Sequence, residues 1–157
     1  MARIRTSAVL AALLLIVAAA TAAQTPQDLA PPSQGPDQRF KVDLLLVVAH
    51  PDDESAIGAY LARAVFDEGR RVAVIFTTSG EGGRNAVGVE RGTSMAAVRQ
   101  IEARRALDEY GIDQVWFLAG RDTATQNVLL SLSTWPHGDV LEDTVRIMRL
   151  TRPEVVV

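Results

Sequence analysis

The chain has 157 residues, a formal net charge of −3 at pH 7 and no cysteine. A slightly acidic balance without a basic cluster argues against a nucleic-acid partner. The absence of thiols excludes disulfide bonds and thiolate metal sites, and the length suits a short leader followed by one globular domain.

The first 23 residues have the pattern of a signal peptide. Arg3 and Arg5 precede an apolar run, and small residues follow it, including the cleavage-type tripeptide Ala-Thr-Ala at 20–22. An uncleaved anchor is the alternative, but the apolar run is short for a membrane span of about 20 residues. Cleavage therefore predicts a secreted or periplasmic protein without a stable membrane anchor.

Residues 24–41 are polar and are predicted to be a flexible linker. The domain at 42–157 begins with an apolar run at 42–49 that does not alternate, which is typical of a strand buried on both faces. Amphipathic and apolar segments then follow in turn. Helices are predicted at 53–68, 93–110 and 139–150, strands at 72–77, 115–118 and 154–157, and long loops at 78–92 and 119–138.

This alternation of strands and helices predicts an α/β fold, a Rossmann-like open and mostly parallel sheet with helices on both faces. In such sheets the ligand site lies outside the carboxyl ends of the strands. Polar segments follow the first three predicted strands, at 50–54, 78–83 and 120–122. We therefore expect them to meet at one rim of the sheet.

The segment His50-Pro51-Asp52-Asp53-Glu54 directly follows the first strand. Pro51 ends that strand because it has no amide hydrogen, and it favours an extended backbone at His50. Acidic residues at a helix start can be simple capping groups, but three beside a histidine exceed what capping needs. His50 and Asp53 can both point at one ion. Imidazole and carboxylate ligation suits a catalytic Zn²⁺, although another divalent metal is possible.

Three residues of the later loops are weaker candidates. Glu81 lies in a Gly-rich loop that fails the dinucleotide-binding spacing, because Asn85 stands where glycine or alanine is required. We predict that this loop forms a substrate-facing wall. Asp122 is either a rim residue that contacts the substrate or an ordinary turn residue. His137, the other histidine of the chain, is predicted to be structural.

The helix from residue 93 carries two charges on its apolar side. Arg99 and Glu102 project there, three residues apart. Charged groups on a buried face must be paired or used. Two interpretations follow: the two residues form an internal ion pair, or Arg99 reaches the site and contacts a polar substrate. The apolar side itself is predicted to consist of Met95, Val98, Ala106 and Tyr110.

Taken together, these residues resemble the PIG-L (LmbE-like) N-acetylglucosaminyl deacetylase family. The segments 49–54 and 78–82, the pair Arg99 and Glu102, and Asp122 carry the resemblance. It implies a Rossmann-like, zinc-dependent hydrolase that removes an acetyl group from an N-acetylglucosamine-type sugar or glycoconjugate.

The resemblance also implies roles within the site. His50 and Asp53 would be metal ligands, Asp52 the general base and Arg99 a substrate contact. The family's third ligand is a histidine after the fourth strand, so the resemblance predicts that a chain ending at Val157 is a fragment with little or no activity. The alternative is a secreted, non-catalytic sugar-binding module.

Overall fold

The computed structural model describes residues 35–157. The predicted signal peptide at 1–23 and most of the predicted linker lie outside the described residues. Among residues 35–157, no helix combines the length and the apolar content that a membrane span requires.

The described end of the predicted linker is packed against the domain. It contains a short 3₁₀ helix, Gln38–Phe40. The Arg152 guanidinium donates a hydrogen bond to the carbonyl of Asp37 at 3.2 Å. The compact unit therefore begins at Pro36, a few residues before the predicted boundary.

Four parallel strands form one sheet in the order β3-β2-β1-β4, which confirms the predicted α/β fold. The chain moves from β1 outward to β3, and then returns to the other side of β1. This change of direction places the carboxyl end of β1 at the topological switch point, where open α/β sheets bind ligands. The strands are β1 (Leu44–Val48), β2 (Val72–Thr78), β3 (Gln114–Gly120) and β4 (Val155–Val156).

Helices connect the strands, and two of them depart from the sequence prediction. The first, α1 (residues 53–67), changes type along its length, from a 3₁₀ turn through an α-helical turn to a π turn. A five-residue helix lies inside the stretch predicted to be a loop at 119–138, too short to show helical periodicity. The other helices are α2 (Thr93–Asp108), α3 (Val128–Leu132) and α4 (His137–Thr151).

The core lies on both faces of the sheet, as the uninterrupted apolar run in β1 predicts. Successive side chains of a strand point to opposite faces. Leu44 and Leu46 accordingly pack in a cluster with Leu61 of α1 and Leu107 of α2. Leu45 joins a second cluster on the other face, with Ile147 of α4 and Val42. Burial of β1 on both faces at Leu44, Leu45 and Leu46 fixes its register, since a slip of one residue would exchange the two faces.

The buried face of α2 is rotated from the predicted one. Met95, Ala103 and Leu107 are buried, whereas Ala106 is exposed, so the predicted set was partly wrong. The buried positions differ by multiples of four, a spacing that places side chains on one helix face. Position 99 belongs to the same row. The helix therefore directs Arg99 toward the interior near the carboxyl ends of the strands.

Asp43 joins three strands at the opposite edge of the sheet. Its carboxylate accepts a hydrogen bond from the Arg71 amide at 2.7 Å, and its own amide donates to the Arg71 carbonyl at 2.8 Å. Its carbonyl accepts from the amides of Glu154 and Val155, both at 3.1 Å. The hydrogen bond from the Arg71 amide is the main cause that lowers the pKa of Asp43 below its ordinary value.

Replacing Asp43 by asparagine should lower the free energy of unfolding at pH 7 by about 1 kcal/mol, the usual net value of such a hydrogen bond. Because the pKa is lower in the folded state, the carboxylate stabilises the fold above its unfolded pKa of about 3.9. That contribution is lost as the pH falls through the folded pKa. The difference between wild type and Asp43→Asn should therefore shrink below about pH 4. Urea unfolding at several pH values measures it.

The exposed Asp67 provides a control for this experiment. Asp67→Asn should leave the free energy of unfolding nearly unchanged at every pH. An Asp43→Asn effect of constant size from pH 7 to pH 3 would contradict the assignment of the stabilisation to the ionised carboxylate.

Candidate functional site

The loops that follow the first three strands are joined by hydrogen bonds through Asp122. One carboxylate oxygen, Oδ1, lies 3.2 Å from Nε2 of His50. The other, Oδ2, accepts from the amide of Gly82 at 3.0 Å. The Asp122 amide donates in turn to Oε1 of Glu81 at 3.0 Å. Three of the predicted rim residues are thus brought together at one edge of the sheet.

His50 and Asp53 face each other across the turn that ends β1. Oδ2 of Asp53 accepts a hydrogen bond from the His50 amide at 2.8 Å and lies 3.5 Å from Nδ1 of the imidazole. Zinc bonds of about 2.0–2.2 Å in tetrahedral geometry place two ligand atoms about 3.3–3.6 Å apart. The donor pair therefore fits the predicted ion in both chemistry and spacing.

The pair would supply two of the three ligands that a catalytic zinc site usually draws from the protein. Among residues 35–157, no group of three or more histidine or carboxylate side chains has the geometry to hold a metal ion. His137 is exposed at the start of α4. It does not line the cavity in which His50 lies.

Asp52 has an unusual backbone conformation. Its φ of 111° and ψ of −20° lie in a backbone region that residues other than glycine rarely adopt. Its amide donates a hydrogen bond to Oε2 of Glu54 at 2.9 Å, and Glu54 is only 5 % exposed. Such a conformation costs about 1–3 kcal/mol and persists only where the surroundings enforce it. The buried Glu54 carboxylate is one of the groups that enforce it.

The guanidinium of Arg99 binds the same turn, the one that follows β1. It donates hydrogen bonds to the carbonyl of Pro51 at 2.5 Å, to Oδ2 of Asp52, and to the carbonyl of Gly80 at 3.4 Å. Arg99 forms its ion pair with Asp52. The structure therefore does not support the predicted ion pair between Arg99 and Glu102. Arg99 thereby connects α2 to the loops that follow β1 and β2.

Gly80 permits this close approach. A Cβ at that position would lie 2.5 Å from Nη1 of Arg99, and the residue has a φ of +67°. The backbone conformation therefore favours glycine, and a Cβ would also displace the guanidinium. The glycine at position 80 is thus accounted for by its contact with Arg99, without invoking a nucleotide-binding site.

These residues open into a cavity of about 610 Å³. His50, Asp52, Arg99 and Asp122 line one part of it. Glu81 is not among the lining residues. Its carboxylate accepts a hydrogen bond from the amide of Asp122 instead. The structure therefore places this predicted substrate contact outside the wall of the cavity.

The other part of the cavity was missed by the sequence analysis. It is formed by the chain after β3, which was predicted to be a long loop without further function. The sequence signal was weak, because a tryptophan and scattered hydroxyl and amide residues follow no motif spacing. The lining residues of this part are Arg121, Thr123, Ala124, Thr125, Gln126, Val128, Ser131, Leu132 and Trp135.

Comparison with protein families relates the chain to known deacetylases. The family profile described as PIG-L, GlcNAc-PI de-N-acetylase, matches residues 45–157. A 1D-myo-inositol 2-acetamido-2-deoxy-alpha-D-glucopyranoside deacetylase of Kribbella flavida is 34 % identical over 148 residues, which cover 80 % of this chain and 47 % of that protein. A similarly named deacetylase of Catenulispora acidiphila is 29 % identical over 131 residues, covering 73 % and 40 %. The chain thus spans about half the length of the curated relatives it matches.

Solved structures show the same fold. The N,N'-diacetylchitobiose deacetylase of Pyrococcus horikoshii superimposes with a TM-score of 0.55 at 24 % identity, over 73 % of this chain and 40 % of that one. A conserved protein of Thermus thermophilus gives a TM-score of 0.52 at 31 % identity, over 73 % and 44 %. Both similarities support the parallel α/β sheet described above.

The backbone strain at Asp52 can be measured by comparing two substitutions. Asp52→Ala and Asp52→Gly both remove the carboxylate and its ion pair with Arg99, but only alanine keeps a Cβ at positive φ. We expect the glycine variant to be more stable than the alanine variant by about 1 kcal/mol, since glycine adopts this conformation without strain. Denaturant unfolding of the two proteins gives the difference.

Asp67, in the helical backbone of α1, is the matched control position. There, at the last helical residue, glycine should be no more stable than alanine, because the helical backbone does not need a positive φ. Alanine being the more stable residue at both positions would show that the backbone at Asp52 is unstrained.

Proposed function

The chain belongs to the PIG-L family, and we propose that it carries the metal-binding and general-base residues of an N-deacetylase. The proposed reaction is hydrolysis of the acetamide group of an N-acetylglucosamine-type sugar. The observation that carries the proposal is that Asp52 lines the cavity together with His50. His50 is in turn paired with Asp53, which is not among the lining residues. The names of the relatives, which describe deacetylases of a 2-acetamido-2-deoxyglucopyranoside, support this substrate class.

His50 and Asp53 would hold the metal ion. The donor set of one imidazole and one carboxylate favours zinc and permits other divalent metals. When bound, such an ion polarises a carbonyl group and lowers the pKa of a coordinated water toward about 7.

Asp52 would accept the proton of the attacking water. Its side chain is 70 % exposed, so a water in the cavity can reach it. Arg99 binds Oδ2, and Oδ1 makes no hydrogen bond with the described residues. Oδ1 is therefore the oxygen that is free to take the proton. Glu54 and Arg99 together fix the turn, so the carboxylate needs little reorganisation before it acts.

The guanidinium of Arg99 has a second proposed role, as a contact for the substrate. It is 15 % exposed and lines the cavity while it holds the turn. A donor in this position can bind a hydroxyl or carbonyl oxygen of a sugar without releasing Asp52, because a guanidinium has five N–H groups.

The two histidines of the chain allow a direct test of the metal site. His50→Ala should weaken zinc binding by at least about 100-fold, because even the loss of an outer-sphere partner typically costs 10- to 100-fold. His137→Ala should bind zinc like the wild type, since His137 lies outside the cavity. Isothermal titration with zinc compares the three proteins. Equal losses in both variants would make His137 a ligand and contradict the proposed site.

The division of labour between the two aspartates is a separate test. Measured in a protein that also carries the third metal ligand, Asp52→Asn should keep zinc binding but lower kcat for acetate release about 10²- to 10⁴-fold, the usual effect of losing a general base. Asp53→Asn should weaken zinc binding itself. If Asp52→Asn lost the metal while Asp53→Asn kept it, the two roles would have to be exchanged.

A further inference from the structure

We propose that Asp122 is a positioning residue for the imidazole of His50. Its carboxylate binds the hydrogen on Nε2, so that Nδ1 presents its lone pair beside Asp53. The inference rests on the proposed function, because it takes His50 and Asp53 as ligands of the ion. It adds a role for a residue from the loop after β3 and identifies the nitrogen that would bind the metal.

Asp122 has a fixed position beside the imidazole, and its side chain is only 14 % exposed. Its amide donates a hydrogen bond to Oε1 of Glu81, and its Oδ2 accepts one from the amide of Gly82, both at 3.0 Å. A Cβ at Gly82 would lie 3.0 Å from Oδ2, so the absence of a side chain lets the loop after β2 come this close. The remaining oxygen, Oδ1, lies 3.2 Å from Nε2 of His50.

This contact decides which nitrogen of His50 carries a hydrogen. An ionised carboxylate can only accept hydrogen bonds, so the nitrogen beside Oδ1 has to be a donor. A neutral imidazole has one N–H group, and its other nitrogen is an acceptor with a free lone pair. Asp122 therefore stabilises the tautomer in which Nε2 is protonated and Nδ1 is available as a metal ligand.

The opposite side of the ring has the complementary arrangement. Nδ1 lies 3.5 Å from Oδ2 of Asp53, which is longer than the usual N–H···O distance of about 2.7–3.2 Å. The spacing suits two atoms that bind the same ion. With no hydrogen on Nδ1, two atoms with lone pairs face each other there, and a cation between them would relieve their repulsion.

His50 needs a partner of this kind, because its side chain is 38 % exposed and its neighbours do not enclose the ring on all sides. A half turn of the ring would move Nδ1 away from Asp53. Metal-binding histidines usually donate their second ring N–H to a carboxylate or carbonyl, which fixes the ring and raises the basicity of the ligand nitrogen. Asp122 is the group that meets this requirement in the described structure.

A competing assignment makes Asp122 itself a ligand, with the ion at Nε2. Nδ1 would then carry the hydrogen, and its distance of 3.5 Å from Asp53 is too long for a hydrogen bond. The proposal also differs from the role predicted for Asp122, a contact with the substrate, because both carboxylate oxygens already have partners in the protein.

Nitrogen NMR of the imidazole tests the assignment in the full chain. The chain has two histidines, so His137→Ala leaves His50 as the only imidazole. In the zinc-free protein at about pH 8, where a histidine is ordinarily neutral, we expect a protonated Nε2 and an unprotonated Nδ1. Added zinc should shift the Nδ1 resonance and leave the hydrogen on Nε2.

Variants at Asp122 test its role in that background. Asp122→Ala should increase the fraction of His50 protonated at Nδ1 and weaken zinc binding about 10- to 100-fold, the usual effect of losing an outer-sphere partner. Asp113→Ala, an exposed aspartate before the other end of β3, is the matched control and should change neither quantity. An unchanged tautomer ratio and zinc affinity in Asp122→Ala would overturn the proposal.

A second variant separates positioning from the mere joining of loops. Glu81→Ala removes the hydrogen bond to the Asp122 amide but leaves the carboxylate in contact with His50. It should therefore largely keep the tautomer and the zinc affinity of its parent. Losses equal to those of Asp122→Ala would assign the effect to loop structure and overturn the positioning role.

The zinc-free spectrum and the zinc titration distinguish this inference from the proposed function. A protonated Nδ1 in the zinc-free protein, with zinc then bound at Nε2, would overturn the role of Asp122 and sustain His50 as a ligand. A protonated Nε2 with no response of His50 to saturating zinc would instead overturn the metal site, and with it any role of Asp122 in binding the ion.

Discussion

Burial of β1 on both faces is the constraint on which the rest of the structure depends. Its leucines enter two separate clusters, one beneath α1 and α2 and one beneath α4. A strand in this position has to be central, with β2 on one side and β4 on the other. His50, which follows the carboxyl end of β1, then lies at the topological switch point of the sheet. The position of His50 thus follows from the apolar run that directly precedes it.

A small polar network converts this position into a defined site. Asp122 joins the loops after β1, β2 and β3, while Arg99 joins α2 to two of them. Each connection places a charged group where its hydrogen-bonding capacity is used, which limits the cost of removing it from water. Gly80 leaves space for the guanidinium of Arg99, and Gly120 leaves space for the carbonyl of Thr77 on the neighbouring strand. The loops are therefore held by specific contacts that depend on the size of single residues.

The sequence was sufficient for those parts of the molecule that follow from periodicity. The continuous apolar run predicted a buried strand, and the alternation of elements predicted the parallel sheet. It was not sufficient for contacts that depend on rotation or on short segments. The face of α2 was predicted to carry Arg99, as observed, but it was partly misplaced, because it includes Ala103 and Leu107 rather than Ala106 and the apolar pattern does not fix the rotation of the helix. The helix α3 and Trp135 left no periodic signal, and the conformation of Asp52 depends on a carboxylate two residues later.

The central position of β1 also implies that amide hydrogens in the strand and in the turn that follows it exchange with solvent by different routes. Its backbone groups pair with β2 on one side and with β4 on the other, including a hydrogen bond from the Val47 amide to the carbonyl of Val157 at 2.8 Å. Amide hydrogens in such a strand exchange with solvent mainly through global unfolding. The amide of Asp52 bonds instead to the side chain of Glu54, so its exchange requires only that the turn open locally. Hydrogen exchange at Asp52, compared with that at the buried Leu46 of β1, would therefore report how often the site opens while the sheet beneath it stays intact.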